Sequence, residues 1–158
     1  MRILRFYVLL MVVLLVSGCE FSPVKSPQKN IYTLGQVNQV KSTRYSKTGK
    51  SLLVSMPIAN PGYTSDKMKY IQTPYRIESF GLNRWVAPPV NMLAPIMAQA
   101  VRQTHYFKAV VEPPFSGLTD YDLQTQLVSF EQNFQQPVSR FVLIMQASLI
   151  NSKTNRVM

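Results

Sequence analysis

The chain has 158 residues, a formal net charge of +10, one cysteine and one histidine. This length allows one domain with a real hydrophobic core and leaves no room for a second. The single cysteine excludes a disulfide framework, and the scarcity of Cys and His excludes the usual zinc sites.

The first residues have the features of an export signal. Arg2 and Arg5 carry two positive charges, and an uninterrupted apolar run follows from Phe6 to Val16. Such a run resembles the apolar part of a signal peptide. It is shorter than the roughly twenty residues that a helix needs to cross a bilayer. We therefore predict a signal peptide over residues 1–18 and no permanent transmembrane anchor.

Cys19 follows this run directly, in the order Leu15, Val16, Ser17, Gly18, Cys19. The segment resembles the lipobox of bacterial lipoproteins, in which the cysteine is diacylated before cleavage. Each buried acyl methylene contributes about 0.8 kcal/mol, so two or three chains, such as palmitate, anchor a protein durably. We predict Cys19 as the lipidation site. The alternative is an ordinary secreted protein whose signal region happens to contain a cysteine.

The residue after Cys19 indicates in which of the two membranes the lipoprotein is anchored. Glu20 is not the aspartate that, in the lipoprotein rule, retains a protein at the inner membrane. The expected location is therefore the cell envelope, on the periplasmic face of the outer membrane. Residues 19–30 are rich in Ser, Pro, Gln and Asn, which is typical of a flexible tether. We expect the folded domain to occupy residues 31–158.

The first half of this domain has the pattern of β-strands. Short apolar or alternating runs, separated by polar and turn residues, predict strands over 31–34, 52–58, 67–71 and 75–80. A polar loop leads up to Lys50. A second loop, at Asn60, Pro61 and Gly62, separates the second strand from the third.

From Pro89 the apolar residues recur at steps of three and four, which predicts an amphipathic helix over Pro89–Thr104. Pro88 and Pro89 suit the first turn of a helix. The apolar positions are Val90, Leu93, Met97, Ala100 and Val101. This face either packs on the sheet or holds an acyl chain.

The second half returns to strands. We predict strands over 107–111, 121–134 and 139–150, with a loop at Pro113, Pro114 and Gly117 between the first two. The last strand is apolar on both faces, which indicates a central position in the sheet. A turn at 151–155 leads into residues 156–158, where a partner strand begins and the sequence stops. This ending suggests a C-terminal truncation.

Together these elements predict an α+β fold. We expect a two-layer sandwich in which a mixed, mainly antiparallel sheet packs against the helix 89–104.

Positive charge is concentrated near the expected anchor. Residues 19–84 hold ten Lys and Arg against three Asp and Glu, whereas residues 85–158 hold five against four. A basic half next to a lipid anchor fits anionic headgroups or an acidic partner protein. A solvated, solubilising surface is the alternative. The sequence has no basic helix or basic and aromatic motif typical of nucleic-acid binding, so no nucleic acid is expected.

The candidates for catalysis are few. His105 lies at the predicted helix end, where an imidazolium interacts favourably with the helix dipole. The spacing of Asp120 and Asp122 would place both on one face of a strand, where they could form an acid pair. A solvated pair at the edge of a loop is the simpler interpretation. There is no Gly-x-Ser-x-Gly elbow and no glycine-rich phosphate loop. We expect no catalytic residue, no metal, no cofactor and no enzymatic activity.

Several short segments resemble the ABC-type transport auxiliary lipoprotein family, whose best-known branch is the paraquat-inducible protein C type. The resemblance covers mainly Leu52 to Met158. It rests on the order and spacing of the matching segments behind the lipobox. The matching segments are Tyr32-Thr33-Leu34, Lys69-Tyr70, Trp85-Val86-Ala87-Pro88-Pro89, Tyr121-Asp122-Leu123 continuing through Phe130-Glu131-Gln132, and Arg140 to Val157.

The resemblance implies a two-layer α+β domain that normally continues with a further strand and a closing helix. It also implies a periplasmic lipoprotein that assists lipid transport by an ABC transporter and MCE-domain proteins linking the two membranes. Trp85, Pro88 and Pro89 are then candidates for a partner-docking surface, or else Trp85 is a buried plug between helix and sheet. The protein is either a docking adaptor or a lipid-binding carrier, and an unpaired edge also allows a homo-oligomer.

Overall fold

The computed structural model describes residues 26–35 and 46–158. The predicted signal peptide, Cys19 and most of the predicted tether lie outside these residues, so the expectations for them stay predictions. Among the described residues, no helix is both long enough and apolar enough to span a membrane.

The described residues form nine strands and one α-helix. The strands are β1 (Asn30–Tyr32), β2 (Ser51–Val54), β3 (Ile58–Ala59), β4 (Lys67–Ile71), β5 (Ile77–Trp85), β6 (Ala109–Val111), β7 (Tyr121–Asn133), β8 (Arg140–Asn151) and β9 (Arg156–Val157), and the helix is α1 (Pro89–Gln103). A short 3-10 helix, Pro61–Tyr63, separates β3 from β4 where the sequence predicts a loop. The predicted strand over 52–58 is thus two strands.

The sheet is organised around the long strand β7. Along one edge, β7 pairs in parallel with three strands in succession, β2 near its start, β3 near its middle and β4 near its end. Along its other edge it pairs with β8 in an antiparallel ladder over nearly its whole length. Beyond β2 lies β6, and beyond β4 lie β5 and then β1. One strand therefore holds both halves of the sheet together.

The α+β class is confirmed, but the expectation of a mainly antiparallel sheet is wrong. Of the eight strand pairings in the described chain, five are parallel and three antiparallel. The physical reason is the shared edge of β7. The three short strands β2, β3 and β4 follow one another along it and run in its direction, and each is joined to β7 through a long stretch of chain rather than by a hairpin.

The predicted central position of β8 is not seen within the described residues. In the described residues, β8 pairs with β7 on one side, but with β9 only at Ile150 and Asn151 on the other. Its apolar side chains on both faces suggested burial, yet none of them is fully buried, and Phe141, Leu143 and Ile144 are exposed. Among the described residues, most of β8 therefore has no neighbouring strand on its second side.

Helix α1 begins and ends close to where the sequence predicts. Pro88 is its N-cap residue and Pro89 its first residue, a position where the missing N–H of proline costs nothing. At the other end, the Thr104 hydroxyl donates to the Val101 carbonyl at 2.7 Å. His105 follows with a positive φ of 53°.

The core consists of two clusters between α1 and the sheet. In one, Leu93 of the helix packs with Tyr63, Leu127 and Phe130. In the other, Ala98 packs with Leu52 and Val54, and Met97 and Val101 of the helix contact the same cluster. The apolar helix face thus packs on the sheet, which is the first of the two alternatives that its pattern left open.

A buried polar contact ties the 3-10 helix to β7. The Tyr63 hydroxyl donates to the Glu131 carboxylate at 2.7 Å, and both residues are buried. Burial, followed by the hydrogen bond to Glu131, raises the pKa of Tyr63 to about 12 from 10.0. A folded-state pKa above the unfolded one means that this contribution to stability is complete below pH 10.0 and is lost as pH rises towards 12.

Tyr63→Phe is therefore expected to lower the free energy of unfolding by about 1–3 kcal/mol at neutral pH, because a buried carboxylate loses its donor. The measurement is urea unfolding of the full chain in non-ionic detergent, followed through the fluorescence of Trp85, the single tryptophan. Between pH 10 and 12 the difference between wild type and variant should shrink. A difference that stays constant across this range would contradict the assigned role.

Candidate partner-docking site

Trp85 is held at the junction of three segments. It is the last residue of β5, and its backbone N–H donates to the Asp66 carbonyl at 2.8 Å. The next N–H, of Val86, donates to the Tyr32 carbonyl at 2.7 Å. The end of β5 is thereby fixed between β1 and the segment before β4, and the chain then enters α1.

The indole of Trp85 belongs to a cluster of aromatic rings. Its centroid lies 5.2 Å from that of Phe130 and 6.4 Å from that of Phe141. Phe130 and Phe141 lie 4.9 Å apart in a T-shaped arrangement. Separations of 4.5–7 Å with tilted or perpendicular rings are favourable for aromatic pairs. The three rings therefore form one packed unit contributed by β5, β7 and β8.

This unit is continuous with an exposed apolar surface. The register pairs Phe130 with Leu143 and Gln132 with Phe141, so Phe141 and Leu143 share the sheet face of Phe130. Phe141 is 55% exposed and Leu143 is 47% exposed. We call Trp85, Phe130, Phe141 and Leu143 the aromatic surface. A pocket of about 190 Å³ is lined by Trp85, Phe130 and Phe141 of this surface and also by Met68 and Phe80.

The residues predicted for docking differ in accessibility. Trp85 and Pro88 are partly buried, whereas Pro89 is fully buried at the start of the helix. Trp85 also packs against the core cluster around Leu93. One part of the Trp85 indole therefore contacts the core, and another part is accessible to solvent. Whether Trp85, Pro88 and Pro89 take part in docking stays a prediction.

Sequence reasoning missed Phe141 and Leu143 as surface residues. The alternation along β8 was visible, but its apolar character on both faces was interpreted as burial. An edge strand with exposed apolar residues has the same sequence pattern as a central one. Only the pairing partners of β8 tell the two apart.

The two aspartate candidates are held in hydrogen bonds to serines of the β2 segment. The Asp120 carboxylate accepts from the backbone N–H of Ser51 at 2.9 Å and from its hydroxyl at 3.0 Å, and these bonds, ahead of the nearby Lys50, lower the pKa of Asp120. Asp122 accepts from the Ser55 hydroxyl at 2.6 Å. Both aspartates thus join the β2 segment to β7. In the described chain, no three His, Cys, Asp or Glu side chains are grouped to hold a metal ion.

The family model described as "ABC-type transport auxiliary lipoprotein component" matches residues 32–158, which is most of the chain. The chain belongs to this family. The auxiliary lipoprotein resemblance inferred from the sequence is thereby confirmed. Members of this family are auxiliary components of ABC-type transport. As a lipoprotein, the chain belongs to the cell envelope.

Two solved structures share the fold of this auxiliary lipoprotein domain. The crystal structure of protein XCC0632 from Xanthomonas campestris, a DUF330 family member, is 22% identical, with a TM-score of 0.70 over 81% of this chain and 71% of that one. The crystal structure of an uncharacterised protein is 12% identical, with a TM-score of 0.51 over 76% of this chain and 80% of that one. No curated protein matches the chain.

Proposed function

We propose that the protein is a periplasmic lipoprotein, anchored to the outer membrane through Cys19, that docks an MCE-type lipid transport system served by an ABC transporter. The observation that carries this proposal is the family match over residues 32–158 together with the exposed aromatic surface. We propose no catalytic activity and no cofactor, since Asp120 and Asp122 are held by hydrogen bonds to Ser51 and Ser55. The family description supports the link to a transporter, and the MCE partner is our inference.

The composition of the aromatic surface supports a docking role. Interfaces draw most of their binding energy from a few residues, with aromatic side chains enriched at their centres. Here a packed pair of rings, Trp85 and Phe130, supports the more exposed Phe141 and Leu143. The centre of such a surface is preorganised, because its rings are already held by one another before a partner arrives.

The carrier function remains the second candidate because of one observation. A pocket of about 460 Å³ with a mainly apolar lining lies beside the end of α1, next to Val101 and Phe107. It is a surface feature and not a space between helix and sheet, where the two core clusters pack. A carrier would retain lipid in the absence of any protein partner.

The docking proposal is tested by placing a charge on the aromatic surface. We expect Leu143→Lys to lower recovery of an MCE-domain protein from crosslinked cells by about tenfold, because a lysine at an apolar interface centre must be desolvated. The measurement is a pull-down of the tagged, lipidated protein, with the partner quantified by mass spectrometry.

Ile144→Lys is the matched control. Ile144 is the next residue of β8, is 48% exposed against 47% for Leu143, and faces the opposite side of the sheet. Recovery should stay near that of the wild type. Equal losses with both variants, or recovery of envelope lipids without any MCE-domain protein, would sink the docking proposal.

A further inference from the structure

A basic pocket lies at the opposite end of α1 from Trp85. It has a volume of about 560 Å³ and is lined in part by Lys47, Arg102, His105, Phe107 and Lys108. The 15-residue helix separates it from the aromatic surface by roughly 22 Å, at about 1.5 Å per residue. It is therefore distinct from the proposed docking site.

The charge of this pocket is only partly compensated. Arg102 forms an ion pair with Glu112, and nearby Lys50 forms one with Asp120. The salt bridges of the described chain include neither Lys47 nor Lys108, and none of the described lining residues is acidic. Two lysines therefore give the pocket a net positive potential, with Arg102 as a further donor.

The backbone around both lysines is held in place. The Thr48 N–H donates to the Tyr106 carbonyl at 2.7 Å, and the Lys108 N–H donates to the Lys50 carbonyl at 2.8 Å. These bonds continue the parallel pairing of β2 with β6 beyond the ends of the strands. Lys47 and Lys108 thus project from two segments with a fixed relative position.

An apolar pocket adjoins the basic one. It has a volume of about 460 Å³, and Val101, Thr104, Tyr106 and Phe107 line it. Phe107 belongs to both linings, so the two pockets are neighbours that share this residue. A cationic site beside an apolar one matches a ligand that has an anionic group at one end and a hydrocarbon chain at the other.

We propose that the two pockets together bind an anionic phospholipid, with its phosphate near Lys47 and Lys108 and the first part of an acyl chain against Val101 and Phe107. The lysine ammonium groups would donate charge-assisted hydrogen bonds to phosphate oxygens. The apolar lining would remove acyl methylene groups from water. This site does not rest on the docking role, and Leu143→Lys should leave it intact.

The test compares three ligands and two double variants. The full chain in non-ionic detergent is titrated with phosphatidylglycerol, with phosphatidylcholine of the same acyl chains, and with glycerol 3-phosphate, and bound ligand is counted by native mass spectrometry. We expect a preference for phosphatidylglycerol. Lys47→Glu with Lys108→Glu should weaken its binding by about tenfold or more, since two attractive charges become repulsive.

Lys67→Glu with Lys153→Glu is the control, because it makes the same change of net charge at exposed lysines outside both pockets. Equal weakening by the control pair would overturn the site. Equal binding of phosphatidylcholine would overturn recognition of the anion, and equally strong binding of glycerol 3-phosphate would point to a soluble phosphate ligand instead.

If the glutamate pair fails to fold, as reported by Trp85 fluorescence, Lys47→Gln with Lys108→Gln replaces it. This neutral pair should give a smaller loss of phosphatidylglycerol binding and a weaker dependence of that binding on salt. Unchanged binding and unchanged salt dependence would overturn the proposal.

Discussion

Leu127→Ala is expected to lower the free energy of unfolding by about 2–5 kcal/mol, because it opens a cavity in a well-packed core. Leu127 is 0% exposed, lies on the central strand β7, and packs with Leu93, Tyr63 and Phe130. Since domains of this size have a total stability of about 5–15 kcal/mol, the loss should be a large part of the whole.

The measurement is again urea unfolding of the full chain in non-ionic detergent. Leu118→Ala is the matched control, because Leu118 is 100% exposed and undergoes the same chemical change. We expect the control to stay within about 0.5 kcal/mol of the wild type. A Leu127→Ala protein as stable as the Leu118→Ala protein would show that β7 does not occupy the core as described.

Cys19→Ser is expected to abolish both acylation and membrane retention. A serine hydroxyl cannot replace the thiol that receives the first lipid, and one domain with a basic surface binds membranes far more weakly than two or three acyl chains do. The measurement is incorporation of labelled palmitate together with fractionation of the cells. Persistent labelling of the serine variant would mean that Cys19 is not the modified residue.

Glu20→Asp provides the companion variant. It keeps Cys19 and should therefore keep both the label and the membrane fraction. If the lipoprotein rule for the following residue applies, the variant should move from the outer to the inner membrane. A wild-type protein already found at the inner membrane would contradict the proposed location without affecting the assignment of Cys19.

Local pattern predicted the elements of this fold well. The strand over Lys67–Ile71 and the helix beginning at Pro89 agree with the structure, because each is set by apolar periodicity and by proline chemistry within a few residues. The strand over 75–80 was too short at its end, since β5 continues to Trp85. Polar residues such as Asn83 and Arg84 within β5 hid that continuation.

Strand pairing could not be predicted in the same way. The direction of β2, β3 and β4 depends on their common neighbour β7, which lies far away in sequence, and no local residue encodes it. For the same reason, only part of the aromatic surface could be predicted from the sequence. Trp85 stood out as the single tryptophan, whereas Phe141 and Leu143 join it only through the register of β8 with β7.

The pairing of three early strands with the late strand β7 also bears on how the chain folds. The contacts that join β7 to the first half connect residues 68 and 69 positions apart, as in Tyr63 with Glu131 and Ser51 with Asp120. Such non-local pairing makes folding slow, on the order of milliseconds to seconds. A chain emerging from its N-terminus would expose β2, β3 and β4 with open edges until residues 121–133 arrive. The edges of β2, β3 and β4 that β7 covers in the folded protein are therefore the places where an incomplete chain is most exposed to aggregation.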